Sequence, residues 1–196
     1  MKRIKALQLT QFFLYESAQY DLENMTGITA PTGTGKSSTV DAAILLLSGV
    51  NKHFMPFNAQ TDDHSRRTVK DYCLGVVHEK SNDGSSLADQ ARNEALSYVA
   101  ILIHDETSDV WTTAGVCIAA RDEDSKEEIK GRFVARGVRL ELGDYLIGVD
   151  NNKRPRQWDD FSEDLRRRSK AVGYDVEFAS GAENFTQSLL YQMVGP

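Results

Sequence analysis

The chain has 196 residues, of which 40% are hydrophobic and 27% are charged, the composition of one ordinary globular domain. Its apolar runs fall far short of the roughly 20 residues that a membrane-spanning helix needs, so the sequence predicts no membrane association. The net charge of −6 excludes a globally basic coat for nucleic acid, although it leaves room for a local basic patch.

The first 29 residues are predicted to contain three strands. The residue pattern indicates strands over 4–9 and 12–15, joined through Thr10 and Gln11 and followed by a turn over 16–19. Residues 21–29 contain short apolar and β-branched runs that suit a buried strand. This third strand would lead directly into the most distinctive motif of the chain.

That motif is a phosphate-binding loop, which residues 30–37 match except that alanine replaces the first glycine. Glycines let such a loop approach a phosphate closely, and backbone N–H groups at the start of the next helix bind the anion. The loop lysine binds the β- and γ-phosphates, and the serine hydroxyl binds Mg²⁺. The sequence therefore predicts an ATP site formed by Ala30, Pro31, Thr32, Gly33, Thr34, Gly35, Lys36, Ser37 and Ser38, with Ser37 as a Mg²⁺ ligand.

A helix is predicted directly after the loop. Apolar residues recur at helical spacing from Val40 to Leu47 and occupy nearly every face, and Gly49 suits the C-terminal cap. Such a helix is expected to be buried on both sides, as in a doubly wound sheet. Strand, loop and helix together are the context that favours a phosphate-binding loop over a chance glycine-rich turn.

The remaining elements complete an α/β prediction. A short helix over 68–77 should end at Gly75, and strands are expected over 97–103, 110–119 and 131–138. Alternating residues over 138–142 indicate a half-exposed strand, a helix should run from about Asp159 to Gly173, and 185–194 is too apolar for a tail. The expected fold is a mixed central sheet around the phosphate-loop helix, with an additional antiparallel sheet over about 97–142.

One segment is similar to a strand that ends in a Mg²⁺-binding aspartate and a catalytic glutamate. The apolar run over 99–103 is followed by His104, Asp105 and Glu106. Because His104 interrupts the run and turn-like residues follow, the sequence favours a charged hairpin turn. The Mg²⁺ site and its hydrolytic base would then be incomplete in this chain.

The segment from Ala30 to Gly49 resembles the N-terminal ATPase lobe of SMC-type chromosome-organising proteins, above all in Gly-Lys-Ser-Ser-Thr-Val-Asp-Ala. Within that class it is most similar to the MukB branch, with MksB and JetC, the SMC-like subunit of Wadjet plasmid-defence complexes. Residues 65–75, 97–102 and 184–195 carry this closer likeness. The resemblance implies a P-loop NTPase fold of the ABC/SMC head type, with residues 1–196 as one N-terminal lobe without the coiled coil, hinge and C-terminal lobe.

The resemblance also implies a function. In this class, ATP binding and hydrolysis drive head dimerisation for DNA entrapment or loop extrusion, in chromosome segregation or plasmid defence. The expected partners are the C-terminal lobe of the same protein, a second SMC-like subunit, kleisin-type subunits and DNA. This lobe alone would bind ATP without appreciable hydrolysis.

Two further site residues come from the same resemblance. A glutamine before the first coil helps to hold Mg²⁺ in this class, and Gln187 matches it better than Gln192. Arg66, with Arg67, corresponds to an arginine loop that contacts nucleotide or senses DNA. The alternative is that these arginines cap a helix or pair with residues 62–63 at the surface.

Three other interpretations stay open. A complete small nucleotide or metabolite kinase fits the length, but the strand-rich region after the loop does not favour it. The second interpretation is a non-catalytic interaction module in which bound nucleotide has only a structural role. DNA contact through Lys153, Arg154, Arg156 and Arg166–Arg168 is the third, and it requires that these residues share a face. Two cysteines in core-like segments predict free thiols and a cytoplasmic protein. The resemblance to the SMC class implies that this protein is associated with the bacterial nucleoid.

Overall fold

A computed structural model describes residues 1–24, 26–29, 35–51, 67–80, 86–148 and 153–195. These residues form a mixed α/β fold around one six-stranded sheet, in which every neighbouring pair is antiparallel. Its strands are β1 (Lys2–Phe12), β2 (Tyr15–Asp21), β5 (Glu94–Asp105), β6 (Val110–Arg121), β7 (Glu128–Arg136) and β10 (Asp175–Ala179). Across the sheet their order is β10-β7-β6-β5-β1-β2.

Two small antiparallel sheets lie beside the main one. Strands β3 (Val76–Lys80) and β4 (Ser86–Gln90) form the first, and β8 (Leu146–Ile147) and β9 (Arg154–Pro155) form the second. The helices are α1 (Lys36–Leu47), α2 (Val69–Leu74), α3 (Trp158–Val172) and α4 (Ala182–Val194), and a 3-10 turn spans Leu142–Tyr145. Gly75 and Gly173 end α2 and α3 in left-handed conformations, as predicted for glycine caps.

The main sheet is covered on both faces. Helices α1, α2 and α4 pack on one face through residues such as Leu45, Tyr72 and Phe185. Helix α3 and the 3-10 turn pack on the other through Phe161 and Tyr145. Because successive strand residues point to opposite faces and both faces are buried, β5 is buried without interruption from Ser97 to Ile103. This is why its central run over 99–103 is continuously apolar rather than alternating.

The structure corrects the predicted sheets. The strands over 97–138 belong to the same sheet as the N-terminal strands, because β1 pairs with β5 along its length, and there is no mixed sheet among the described strand pairs. A P-loop NTPase sheet is therefore not seen in this arrangement. The alternating segment 138–142 is not a strand either. Leu140 packs into the hydrophobic cluster on the α3 face of the sheet, and its N–H donates to the hydroxyl of Thr113.

The N-terminal elements also differ from the prediction. Thr10 and Gln11 lie inside β1, and 16–19 lies inside β2, because the turn is at residues 13–14. The predicted third strand is missing among residues 22–24 and 26–29. Here Leu22 still bonds to Lys5, but the Glu23 N–H then donates to the Thr26 hydroxyl, which turns the chain away from the sheet.

Candidate functional site

The structure describes the last residue before α1, Gly35, and the first turn of the helix that follows the predicted phosphate-binding loop. Gly35 immediately precedes the helix at φ +93°, a left-handed conformation that favours glycine. A Cβ at this position would lie 2.6 Å from the hydroxyl oxygen of Tyr15. That hydroxyl donates to the Gly35 carbonyl at 3.2 Å and lies 3.3 Å from the Thr39 hydroxyl. The hairpin between β1 and β2 therefore fixes the entry into α1.

The first turn of α1 presents the predicted phosphate-binding residues. Lys36 is half-buried, Ser37 is exposed, and Ser38 is only 1% exposed. Backbone N–H groups in the first turn of a helix have no bonding partner within the helix, and they carry its positive dipole end. The exposed hydroxyl of Ser37 suits the predicted Mg²⁺ ligand, whereas the bond from Ser38 to a phosphate stays a prediction. Residues 30–34 lie outside the described residues.

Only one side of α1 is buried, which corrects the expectation of a helix enclosed on both sides. Ala42, Leu45 and Leu46 pack against the sheet. Val40 and Leu47 point away from it and are 49% and 38% exposed. The helix therefore presents an apolar stripe to its surroundings.

A buried acidic residue connects α1 to α2. Asp41 is 6% exposed, and its carboxylate accepts a hydrogen bond from the hydroxyl of Tyr72 in α2. Burial raises the pKa of the Asp41 carboxyl, while the bond from Tyr72 and the charge of Arg67 act to lower that pKa. Burial and the bond to Asp41 raise the pKa of the Tyr72 hydroxyl well above its ordinary value. The sequence prediction missed this pair, although an aspartate inside an apolar helix was its signal.

Arg67 lies in the same cluster. Its guanidinium stacks over the ring of Phe13 at 4.6 Å from the ring centre, and it lies 5.9 Å from the Tyr72 ring centre. Phe12 and Tyr72 stack in parallel at 5.3 Å. The structure thus brings Arg67 to the hairpin that supports Gly35. Arg66, the predicted nucleotide contact, lies outside the described residues.

Gln187 of α4 lies beside the C-terminal end of α1, whereas Ser37 lies in the first turn of α1. Gln187 is exposed and lines an apolar groove of about 570 Å³ with Leu47, Ser48 and Asn51. Leu47 is ten residues beyond Ser37, or about 15 Å of helix rise. The structure thus places Gln187 beside the C-terminal end of α1, and its role as a Mg²⁺ ligand together with Ser37 stays a prediction. Gln192 lines a different cavity, with Lys2 and Arg136.

Asp105 and Glu106 form the charged hairpin turn that the sequence favoured, between β5 and β6. Glu106 pairs with Lys5 at 3.0 Å and with Arg3 at 3.4 Å, and the bond from Lys5 is the main reason for its lowered pKa. Asp105 accepts from the Thr107 N–H at 3.0 Å, which lowers its pKa. Asp105 is therefore bonded within the turn, whereas Glu106 is paired with two basic side chains of β1. Across the described part of the chain, no group of three or more His, Cys, Asp and Glu is arranged to hold a metal ion.

Three of the six basic residues proposed for DNA contact are paired with two carboxylates. Arg156 and Arg167 pair with Asp164 at 3.2 and 2.6 Å. Arg168 pairs with Asp144 at 2.9 Å. Arg166 stacks over Phe178 at 4.2 Å, while Lys153 and Arg154 are exposed. Because carboxylates lie between the arginines of α3, this surface is a mixed ion-pair network rather than a continuous basic patch.

A comparison with protein-family models gave no match, and a comparison with curated proteins gave none either. The resemblance to the SMC class is therefore carried by the sequence motifs. Within the described ranges, no helix has the length and apolar character needed to cross a membrane.

Proposed function

We propose that this chain binds a nucleoside triphosphate with Mg²⁺ at the start of α1, as the N-terminal lobe of an SMC- or MukB-like ATPase head. The observation that carries the proposal is the left-handed Gly35, packed against Tyr15 and followed at once by Lys36 and the exposed Ser37. A helix N-terminus with a lysine in its first turn supports this proposal, because a triphosphate is bound by backbone N–H groups and by positive charge.

Each functional group at this point has a defined task in the proposal. Lys36 binds the β- and γ-phosphates, Ser37 binds Mg²⁺, and Gly35 keeps the approach open. Asp105 and Glu106 are engaged by Lys5, Arg3 and Thr107, so the hydrolytic carboxylates come from a C-terminal lobe. The apolar stripe of α1 at Val40 and Leu47 supports such a second lobe, because exposed apolar side chains are stabilised by burial.

The wider roles belong to the complete protein. Head dimerisation with a second SMC-like subunit, contact with kleisin-type subunits, and DNA entrapment or loop extrusion in the cytoplasm complete the proposal. The two carboxylates that pair with Arg156, Arg167 and Arg168 reduce the positive charge of this surface, which weakens the support for DNA binding there.

Substitution of the loop lysine tests nucleotide binding. We expect Lys36→Ala to weaken MgATP binding by at least ~100-fold, because the lysine forms charge-assisted bonds to two phosphates. Isothermal titration calorimetry measures the affinity, and a melting curve checks the fold. The matched control is Lys130→Ala, which removes a lysine paired with Glu128 at 3.1 Å in β7. The control should bind MgATP like the unaltered chain.

Two results would contradict the proposal. Equal affinity of the unaltered chain and Lys36→Ala would place the nucleotide elsewhere. Phosphate transfer to a small acceptor by this chain alone, at many turnovers per minute, would favour the kinase interpretation over a head lobe.

A further inference from the structure

Asp41 carries an ionisable side chain whose burial disfavours its charged form. It lies in the second turn of α1, and burial is the main cause of its raised pKa. A carboxyl group whose pKa is higher in the folded state stabilises the fold below its unfolded pKa, and this contribution is lost as the pH rises through the folded pKa. The contribution of Asp41 to the stability of the fold therefore decreases as the pH rises through its folded pKa. Groups kept under such conditions are concentrated at functional sites.

Tyr72 relays the charge of Asp41 to Arg67. The Tyr72 hydroxyl donates to the Asp41 carboxylate, and the Arg67 guanidinium lies over the Tyr72 ring, 5.9 Å from its centre. The positive charge of Arg67 also acts directly on Asp41, where it lowers the pKa of the carboxyl. A negative group on α1 and a positive group at the start of α2 are thus joined through one buried phenol.

Phe13 lies between this cluster of Asp41, Tyr72 and Arg67 and the start of α1. Its N–H donates to the Tyr72 carbonyl, and its carbonyl accepts from Arg92 at 2.8 Å. The Arg67 guanidinium lies on the Phe13 ring, and an edge atom of that ring is 3.5 Å from the position of a Cβ on Gly35. One aromatic ring therefore separates Arg67 from the predicted phosphate-binding turn.

We propose that Asp41 is a positioning residue of the nucleotide site: through Tyr72 it holds the Arg67 guanidinium on Phe13, beside Gly35. Arg67 then adds a second positive charge near Lys36, where the phosphates of the nucleotide bind. The inference rests on the proposed function, since it needs an anion at the start of α1. It assigns a role to Asp41 and Tyr72, neither of which contacts the nucleotide.

Stability and affinity should respond in opposite directions in Asp41→Asn. Asparagine keeps an acceptor for the Tyr72 hydroxyl and removes the buried charge, so the melting temperature should stay equal or rise. MgATP affinity should fall by ~5-fold, because Arg67 is no longer held by an opposite charge. Tyr72→Phe, which removes the relay, should weaken MgATP binding by a similar factor. A merely structural role of Asp41 would not lower affinity while stability is retained.

A matched control and a double mutant separate positioning from general damage. Tyr145→Phe removes another buried phenol hydroxyl, which donates to Gln8 at 3.0 Å beneath the opposite face of the sheet. It should lower the melting temperature and leave MgATP affinity unchanged. In an Arg67→Gln background, Asp41→Asn should cause no further loss of affinity.

The outcomes distinguish this inference from the function on which it rests. If Lys36→Ala abolishes MgATP binding but Asp41→Asn and Tyr72→Phe bind normally, the positioning role is wrong and the nucleotide site stands. An effect of Asp41→Asn that persists in the Arg67→Gln background would also overturn it. If the unaltered chain does not bind MgATP, the proposed function fails and the positioning role with it.

Discussion

Gly35 determines how the chain enters α1. Its φ of +93° strains any residue that has a side chain, and the nearest obstacle to a Cβ is the Tyr15 hydroxyl at 2.6 Å. Tyr15 also bonds to the Gly35 carbonyl, so the hairpin and the helix hold the same peptide unit from two sides. The chain at this point therefore has little freedom to relax around a larger residue.

We expect Gly35→Ala to lower the free energy of unfolding by about 1–3 kcal/mol, because the backbone strain adds to a steric clash. It should also weaken MgATP binding, since the relaxed turn no longer aims the first-turn N–H groups at the phosphates. Chemical denaturation and calorimetric titration measure the two effects. Gly143→Ala is the control, because a Cβ at Gly143 meets no atom within 4 Å. Unchanged stability in Gly35→Ala would show that the turn tolerates a side chain.

The sequence predicted the role of single residues at positions where phosphate binding requires a particular residue type. Glycine at position 35 followed from the needs of a phosphate loop, and the structure confirms its left-handed conformation. The bond between Asp41 and Tyr72 was not predicted, because 31 residues separate the partners and no local pattern records which buried groups meet. Arg67 was grouped with Arg66 by its neighbourhood in sequence. Its stacking on Phe13 depends on tertiary packing alone.

At the scale of elements, α3 is held by charges as well as by its apolar side. Asp164 contacts Arg156, Arg167 and Arg168, and Arg168 also reaches Asp144 in the 3-10 turn. The bond from Arg167 is the main cause of the lowered pKa of Asp164. A carboxyl group with a lowered folded pKa stabilises the fold above its unfolded pKa, and this contribution is lost as the pH falls through the folded pKa.

Asp164→Asn should therefore destabilise the protein in a pH-dependent manner. At pH 7 we expect a loss of about 1 kcal/mol in the free energy of unfolding, since partly exposed ion-pair networks contribute on that order. As the pH falls through the lowered folded pKa of Asp164, this difference should disappear, and the variant and the unaltered protein should unfold alike. Urea denaturation across this pH range measures the difference. A gap that persists in acid would mean that the amide disturbs packing rather than charge.

Elements with strong local signals were predicted, and elements that depend on distant partners were not. Strands β5, β6 and β7 and helix α3 follow from long apolar runs, acidic and basic helix ends, and a glycine cap. The turn between β1 and β2 was misplaced, because Phe13 takes a positive φ there without the usual glycine or asparagine. The supposed strand before the phosphate loop has β-branched residues but is exposed over 26–29.

At the scale of the whole molecule, one sheet lies between two helical layers. Strands β1, β5, β6 and β7 each have two neighbours, whereas β2 and β10 form its edges among the described residues. The local sequence predicted the α/β class but divided the strands between two sheets. The pairing of β1 with β5 unites them, and such a long-range register has no local signature.

Amide hydrogen exchange should distinguish the central strands of the sheet from its edge strands. We expect the amides of β5 and β6 to exchange most slowly, near the rate set by global unfolding, because both faces and both edges of these strands are covered. Edge strands β2 and β10 should exchange earlier through local opening. Exchange followed by mass spectrometry after proteolysis resolves the segments. Equal protection in β10 and β5 would contradict this ranking.

The pairing of Lys2 with Asp105 also determines when β1 can pair with β5 during biosynthesis. Strand β1 is synthesised roughly 100 residues before its inner neighbour β5, an interval of about 5–20 s at ordinary translation rates. Until then, β1 and β2 can form only a two-stranded hairpin, which is marginal in water. The nascent chain thus exposes the apolar side of β1 throughout this interval, a natural target for chaperones that bind extended apolar segments.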